Sequence, residues 1–272
     1  MYKTAIKNAL NYTRPLILGK LIYKNKNIIN DISSLIVLNE NGDILTTSRN
    51  ADIFLACNEY NETYPKILKE IHEAKPRKTV EIEKKYGINE NTIVGMHNTI
   101  IDIANNPGNL KIIKHPYLDM AVISIQNKDN ILVRKYPKFS SINTEIGESI
   151  CAVGFAFPEY KAFSYDEENF KIKSTYEFMN FPIFPSEGIM CRNISDKEEN
   201  LSMFEMSNNI VKGLEGGPIL NKKGLVVGMT LGHIIINDEN GPVKLGMGVN
   251  TKTIIKFLND NNIKYYKEVN NE

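Results

Sequence analysis

A nine-residue run, Lys212-Gly213-Leu214-Glu215-Gly216-Gly217-Pro218-Ile219-Leu220, concentrates the features of a site. One polar residue, Glu215, stands between two glycine turns, and Pro218 leads on to an apolar run from Gly224 to Gly232. Glycine is needed where a backbone takes positive φ or lies close against a neighbour. A tight glycine turn ahead of a strand can aim successive N–H groups at one point, so Gly213, Leu214 and Glu215 suit an anion-binding nest. Two more residues join the argument by their contexts. Arg49 closes the stretch Asn39 to Ala51, which reads as a strand, a turn at Asn41-Gly42 and a second strand. Asp119 stands directly before an apolar strand pattern that runs to Ile125. A guanidinium stays protonated at physiological pH, so Arg49 cannot serve as a general base. It can instead fork onto one carboxylate and reach a second. Arg49, Asp119 and Glu215 therefore form either a structural ion-pair cluster or a recognition site for a ligand. Two carboxylates also raise acid–base hydrolysis, but that chemistry needs a raised pKa, and a neighbouring guanidinium keeps both groups ionised.

The same segments resemble those of trypsin-like serine peptidases, in particular the bacterial Deg type. Gly213-Leu-Glu-Gly-Gly-Pro218 is similar to the family's Gly-x-Ser-Gly-Gly-Pro, with Glu215 at the nucleophile's place and the oxyanion turn around it. Leu45-Thr46-Thr47-Ser48-Arg49 resembles the family's Leu-Thr-x-x-His, with Arg49 where the catalytic histidine would stand. Asp119-Met-Ala-Val-Ile resembles the family's Asp-Leu-Ala-Val-Leu and keeps the aspartate. Thr230, Leu231 and Gly232 correspond to the strand that pairs with substrate, and His233 follows in the wall of the specificity pocket. Glu145 to Pro158 is similar in spacing to the segment that opens the second lobe, and the likeness covers about residues 33 to 262 in order. The resemblance implies an all-β chain of two six-stranded antiparallel β-barrels, with a helical insertion in the first and a C-terminal helix. One trypsin-like domain would then comprise an N-terminal lobe, 1–135, carrying the insertion at about 58–90, and a C-terminal lobe, 136–272. With two of three triad positions replaced, no catalytic residue is expected. The function implied is a pseudopeptidase that binds another polypeptide along the old cleft or through its insertion. The alternative is an active peptidase with an unconventional nucleophile. No other histidine (His72, His97 or His115) follows the Leu-Thr hairpin. Neither Ser48 nor Ser207 has a base beside it in sequence.

The elements that must hold these positions are legible from periodicity. Residues 2–11 suit a short amphipathic helix, and Arg14 to Tyr23 and Ser33 to Leu38 read as strands. Residues 58–90 are charged and partly helical; Ile93 to Ile103 and Lys111 to Ile113 are further strands, divided by the turn Asn105 to Gly108. Residues 159–182 read as irregular and rich in aromatics, among them Tyr160, Phe163, Tyr165, Phe170, Tyr176, Phe178 and Phe181. Gly188 to Asn193 and Leu201 to Met206 read as strands joined by the charged turn Ser195 to Asn200. Lys244 to Thr251 reads as a strand, followed by a helix to Asn262 capped by Thr251.

Composition bounds the remaining possibilities. At 272 residues with 42% hydrophobic and 24% charged content, the chain has ample core for a large soluble domain. A net charge of +1 gives no reason to invoke nucleic acid or a membrane surface as partner. Cys57, Cys151 and Cys191 lack ligand or disulfide spacing, so they are assigned to packing, and no metal or cofactor is expected. The N-terminal decapeptide lacks the apolar core of a signal peptide, which predicts a cytoplasmic protein.

Overall fold

Antiparallel neighbours joined by short turns build the first sheet. Its strands are β1 (Thr13–Ile22), β2 (Ile28–Val37), β3 (Asp43–Thr46), β4 (Ile93–Ile100), β5 (Leu110–Lys114) and β6 (Ala121–Ile125), in the order β4-β1-β2-β3-β6-β5. The computed structural model describes residues 1–25, 28–103, 110–126, 131–157, 162–175, 181–196, 201–239 and 241–268. The expected turns Asn105 to Gly108 and, in large part, Ser195 to Asn200 lie outside these residues, as do Tyr160, Tyr176 and Phe178. The β2–β3 turn forms because Asn39 Oδ1 accepts from the Asn41 N–H at 2.8 Å while Gly42 takes φ +82°. Pairing of Thr46 with Ala121 then sets the end of β3 beside the start of β6. That register brings Arg49 and Asp119 together from positions far apart in the chain.

The second sheet has eight strands rather than the six expected. They are β7 (Lys138–Phe139), β8 (Ser149–Phe155), β11 (Ile183–Asp196), β12 (Leu201–Met206), β13 (Pro218–Leu220), β14 (Val226–Asp238), β15 (Gly241–Asn250) and β16 (Tyr266–Lys267). Their order is β13-β8-β11-β12-β15-β14-β7-β16, and β13 also pairs with β14. Of the extra two, β7 runs parallel beside β14 and β16 runs parallel beside β7. The molecule is thus mostly β, a half-barrel sheet and a second sheet, with four helices among the described residues. Between the sheets lies a common core that includes Leu35, Leu45, Val122, Val153, Met229 and Leu258. A separate core within the second sheet holds Phe204, Leu214 and Ile219.

Three local outcomes differ from the sequence reading. The helix predicted from about residue 58 begins ten residues earlier: α2 spans Ser48–Glu73, and α3 follows at Pro76–Tyr86. Thr47 causes this, because its hydroxyl accepts from the Asn50 N–H at 3.2 Å and caps the helix right after β3. The aromatic stretch read as irregular contains a hairpin, β9 (Phe163–Asp166) and β10 (Lys171–Ser174). Phe163 packs against Gly19, where a Cβ would stand 2.6 Å from its ring. The C-terminal helix, α4 (Thr251–Asp260), is capped by Asn250 rather than Thr251. Asn250 Oδ1 accepts from the Lys252 N–H, while the Thr251 hydroxyl donates to the Val226 carbonyl. The expected short N-terminal helix is α1 (Lys3–Ala9). Among the described residues no helix is long and apolar enough to cross a membrane.

A single buried hydroxyl ties the two sheets together. Ser34 Oγ, on β2, donates to the Gly213 carbonyl at 2.7 Å and accepts from the Phe155 N–H at 2.9 Å. Removing it leaves two buried backbone groups without partners, each costing about 1–3 kcal/mol. Ser34→Ala is therefore expected to lower stability by about 2–4 kcal/mol in urea unfolding. A loss below about 0.5 kcal/mol, the level of an ordinary surface change, would show that the linkage is dispensable.

Candidate functional site

The site is assembled where α2 begins. Thr47 sets the helix start, so Arg49 falls in the first turn, where backbone N–H groups have no partner within the helix. Asp119 supplies that partner: its Oδ1 accepts from the Arg49 N–H at 3.0 Å and its Oδ2 from Arg49 Nε at 2.5 Å. A carboxylate at a helix N-terminus is doubly favoured there, by the hydrogen bond and by the helix dipole. The guanidinium then reaches across to the second sheet, where Nη2 donates to the Leu231 carbonyl at 2.9 Å. Ser48 is not free for chemistry, since its hydroxyl donates to the Met120 carbonyl.

Glu215 is placed by the glycine turn. Gly213 takes φ +109° and Gly216 φ +84°, a region where side chains are strained. There is also no room for one. A Cβ at Gly213 would stand 2.2 Å from the Phe155 carbonyl oxygen, and one at Gly216 2.3 Å from that of Ser34. The turn is held by Ser34 N–H donating to the Glu215 carbonyl and by Gly216 N–H donating to the Thr230 carbonyl. In this geometry the Glu215 side chain folds back on its own turn, and its Oε2 accepts from the Gly213 N–H at 2.7 Å. Of the expected nest donors, the Gly213 N–H is taken by the chain's own carboxylate and the Leu214 N–H donates to the Val211 carbonyl.

Arg49 pairs with Asp119 but not with Glu215; among the described residues Glu215 has no ion-pair partner. The two side chains nevertheless face one spot. A Cβ placed on Gly232 would be 3.8 Å from Glu215 Cγ and 3.9 Å from Arg49 Nη2. The four residues of the expected peptide cleft meet different fates. Thr230 is fully buried, and its N–H and carbonyl are both spent on Gly217 and Gly216. Leu231 sits at a bulge between β14 and β15, with its carbonyl taken by Arg49. Gly232 has φ +135°, and His233 is exposed. From Gly232 to Asp238 the strand pairs only with β15 among the described residues, and no other described strand lies along its second edge.

Other nucleophiles and bases are committed elsewhere. The Ser207 hydroxyl accepts from the Ile189 N–H. Burial pushes the Cys57 and Cys151 thiols up to about 11, which suppresses the thiolate. His97 is lowered by burial and packs against Phe163, His115 Nδ1 accepts from the Tyr117 and Leu118 N–H groups, and His72 packs on Phe170. No cluster of three or more metal-ligating side chains occurs among the described residues.

One feature is absent from the sequence reading. A cavity of about 130 Å³ opens beside Glu215, walled by β1, β2 and α2 of the first sheet's side and by Lys212. Asp31 stands at its rim and pairs with Lys212 at 2.9 Å and with Lys20 at 3.5 Å. Nothing in the sequence signals this, because Asp31 and Lys212 meet only when the two sheets dock.

Exposure decides what the central ion pair contributes. The Arg49 side chain is 68% exposed and that of Asp119 27%. Exposed pairs contribute about 0–1 kcal/mol, against about 3–5 for breaking a buried one. Arg49→Ala also retains the backbone N–H that Asp119 holds. The expected loss of stability is about 1 kcal/mol or less by urea unfolding, and a loss of about 3 would place the pair in the buried class.

Neither a protein-family profile nor a curated protein sequence matches the chain. Solved structures do match in fold. An HtrA-type protease, AlgW, with decapeptide superposes with a TM-score of 0.53 at 13% identity, over 96% of this chain and 67% of that one. The serine endoprotease from Yersinia pestis gives 0.50 at 14% identity, over 96% and 66%. AlgW with tripeptide gives 0.50 at 13% identity, over 96% and 63%. The chain thus spans about two thirds of the length of these neighbours. At such identities the likeness is one of fold: the structural neighbours of this chain are HtrA-type serine proteases, of the trypsin-like fold.

Proposed function

We propose that this protein is a catalytically inactive trypsin-like scaffold that works by binding another polypeptide. One observation carries the inactive part: Glu215 stands at the nucleophile's place and its carboxylate occupies the Gly213 N–H. Acyl transfer needs an activatable hydroxyl or thiol, a base beside it and an open donor set for the oxyanion. Glu215 provides no hydroxyl, Arg49 no base, and the turn is filled. The half-barrel sheet and the second sheet are read as the two barrels of that scaffold, with lobes 1–135 and 136–272 and the helical part at about 58–90 as an insertion.

The binding part is supported by the β14 edge. Beyond Gly232 its edge away from β15 presents backbone donors and acceptors with no strand beside it among the described residues, and Ile234, Ile235, Ile236 and Val243 are exposed around it. An extended peptide adding as a strand would use those groups. The acceptor at Leu231 is not available to it while Arg49 holds the position. The exposed helices α2 and α3 offer a separate surface.

The inactive reading is checked with a fluorophosphonate probe and a peptidase assay. Neither labelling nor cleavage is expected, and labelling that Glu215→Ala abolishes would sink the reading. The double change Arg49→His, Glu215→Ser should show measurable labelling if the emptied turn keeps its shape. For binding, peptides selected from a random display library are expected to lose at least about tenfold in affinity on Ile235→Lys. A selection that yields no binder, or only binders indifferent to changes in β14, α2 and α3, would remove the polypeptide-binding reading.

A further inference from the structure

The cavity beside Glu215 combines an apolar floor with one carboxylate that has no ion-pair partner among the described residues. Leu16, Leu18, Ile32 and Ile53 form the floor, and the volume is about 130 Å³. Apolar cavities of about 150 Å³ accept a molecule the size of benzene, so there is room here for one aliphatic side chain. The charged groups at the rim fall into sets. Arg49 is neutralised by Asp119. Asp31 is matched by Lys212 and Lys20. Glu215 alone among the charged lining residues has no ion-pair partner among the described residues, and its carboxylate has only the Gly213 N–H at 2.7 Å. One Glu215 oxygen is anchored by that bond; the other has acceptor capacity to spare. These charges, three cations and three anions, sum to zero, but none of the cations pairs with Glu215, whose free oxygen is left to a donor from outside.

We infer that this cavity binds the free amino terminus of another polypeptide, taking an aliphatic first side chain on the floor and the α-ammonium at the Glu215 carboxylate. The inference rests on the polypeptide-binding reading above and names its ligand. The chemistry follows from the layout. A cation and an apolar group must come from nearly the same point, because Glu215 and the floor line the same small cavity. A chain's first residue has that arrangement, with the ammonium and the side chain on one carbon. A lysine side chain would instead carry its charge at the tip, into the floor. An α-amino group has a pKa near 8 and is therefore mostly protonated at neutral pH. Capture of an N-terminal amine by a shaped polar site is a known mode of peptide recognition.

The test is fluorescence anisotropy on the intact chain, using the hexapeptide Leu-Ser-Gly-Ser-Gly-Lys with a dye on the lysine. Binding is expected below about 1 mM. N-acetylation, or aspartate in place of the first leucine, is expected to weaken it by at least about tenfold. Glu215→Gln is nearly isosteric and keeps an acceptor for the Gly213 N–H, so it should fold; it is expected to weaken the free peptide by a similar factor and leave any acetylated binding unchanged. Ile53→Phe, which narrows the floor from a half-buried position, gives a second loss independent of charge. Equal binding of the acetylated and free peptides, equal binding by Glu215→Gln, or no binding up to about 1 mM for Leu, Ile, Val and Met first residues would each overturn the proposal. Peptides that depend on Ile235 would still support polypeptide binding in any of those events, so the two readings fail separately.

Discussion

The structure depends on one close approach, that of the turn Gly213 to Gly217 to strand β2. Ser34 makes it possible by serving both sides, donating to the Gly213 carbonyl and accepting from the Phe155 N–H. Its own N–H reaches the Glu215 carbonyl, and its carbonyl accepts from the Thr46 hydroxyl. Asn50 closes the arrangement by donating to Thr46 Oγ1. These bonds lie where backbone must meet backbone with no side chain between, which is why glycine fills the turn. The geometry of the turn is thus a property of how the sheets dock.

Electrostatics then sort Arg49, Asp119 and Glu215 into two separate groups. A guanidinium and two carboxylates could have collapsed into one cluster. Instead Asp119 holds both the Arg49 backbone and its side chain, which fixes the guanidinium on the helix start and directs its far end to the Leu231 carbonyl. Glu215 turns the other way, onto the nearest backbone donor. The helix terminus supplies the reason for the first choice and the nest for the second. Together they satisfy, within the chain, two groups that an open cleft would leave to a ligand.

The β14–β15 hairpin continues beyond Gly232 in regular register to Asp238 and Gly241, with isoleucines exposed along it. The cavity beside Glu215 opens on the first sheet's side instead. Edge and cavity meet near Glu215 and Gly232, since a Cβ on Gly232 would touch Glu215.

Much of this was legible in the residues. The glycine–proline spacing around Glu215, the Asn41-Gly42 turn, the apolar strand after Asp119 and the closing strand and helix are local signals. They depend on φ preferences and on side-chain alternation over a few residues, so sequence determined most of the strands and the closing helix and singled out Arg49, Asp119 and Glu215 as candidates. The start of α2 at Ser48 was missed because Thr47 reads equally as the last strand residue or as a cap. Only its bond to the Asn50 N–H settles the matter. The hairpin at Phe163 was hidden because its strands are short and its packing partner, Gly19, is remote in sequence. Which carboxylate Arg49 chooses, that Glu215 folds onto Gly213, and that Asp31, Lys212 and four aliphatic residues enclose a cavity were decided by tertiary structure alone. The first depends on the β3–β6 register, the second on the conformation of one turn and the third on the docking of the two sheets, and no periodicity within a segment encodes any of them.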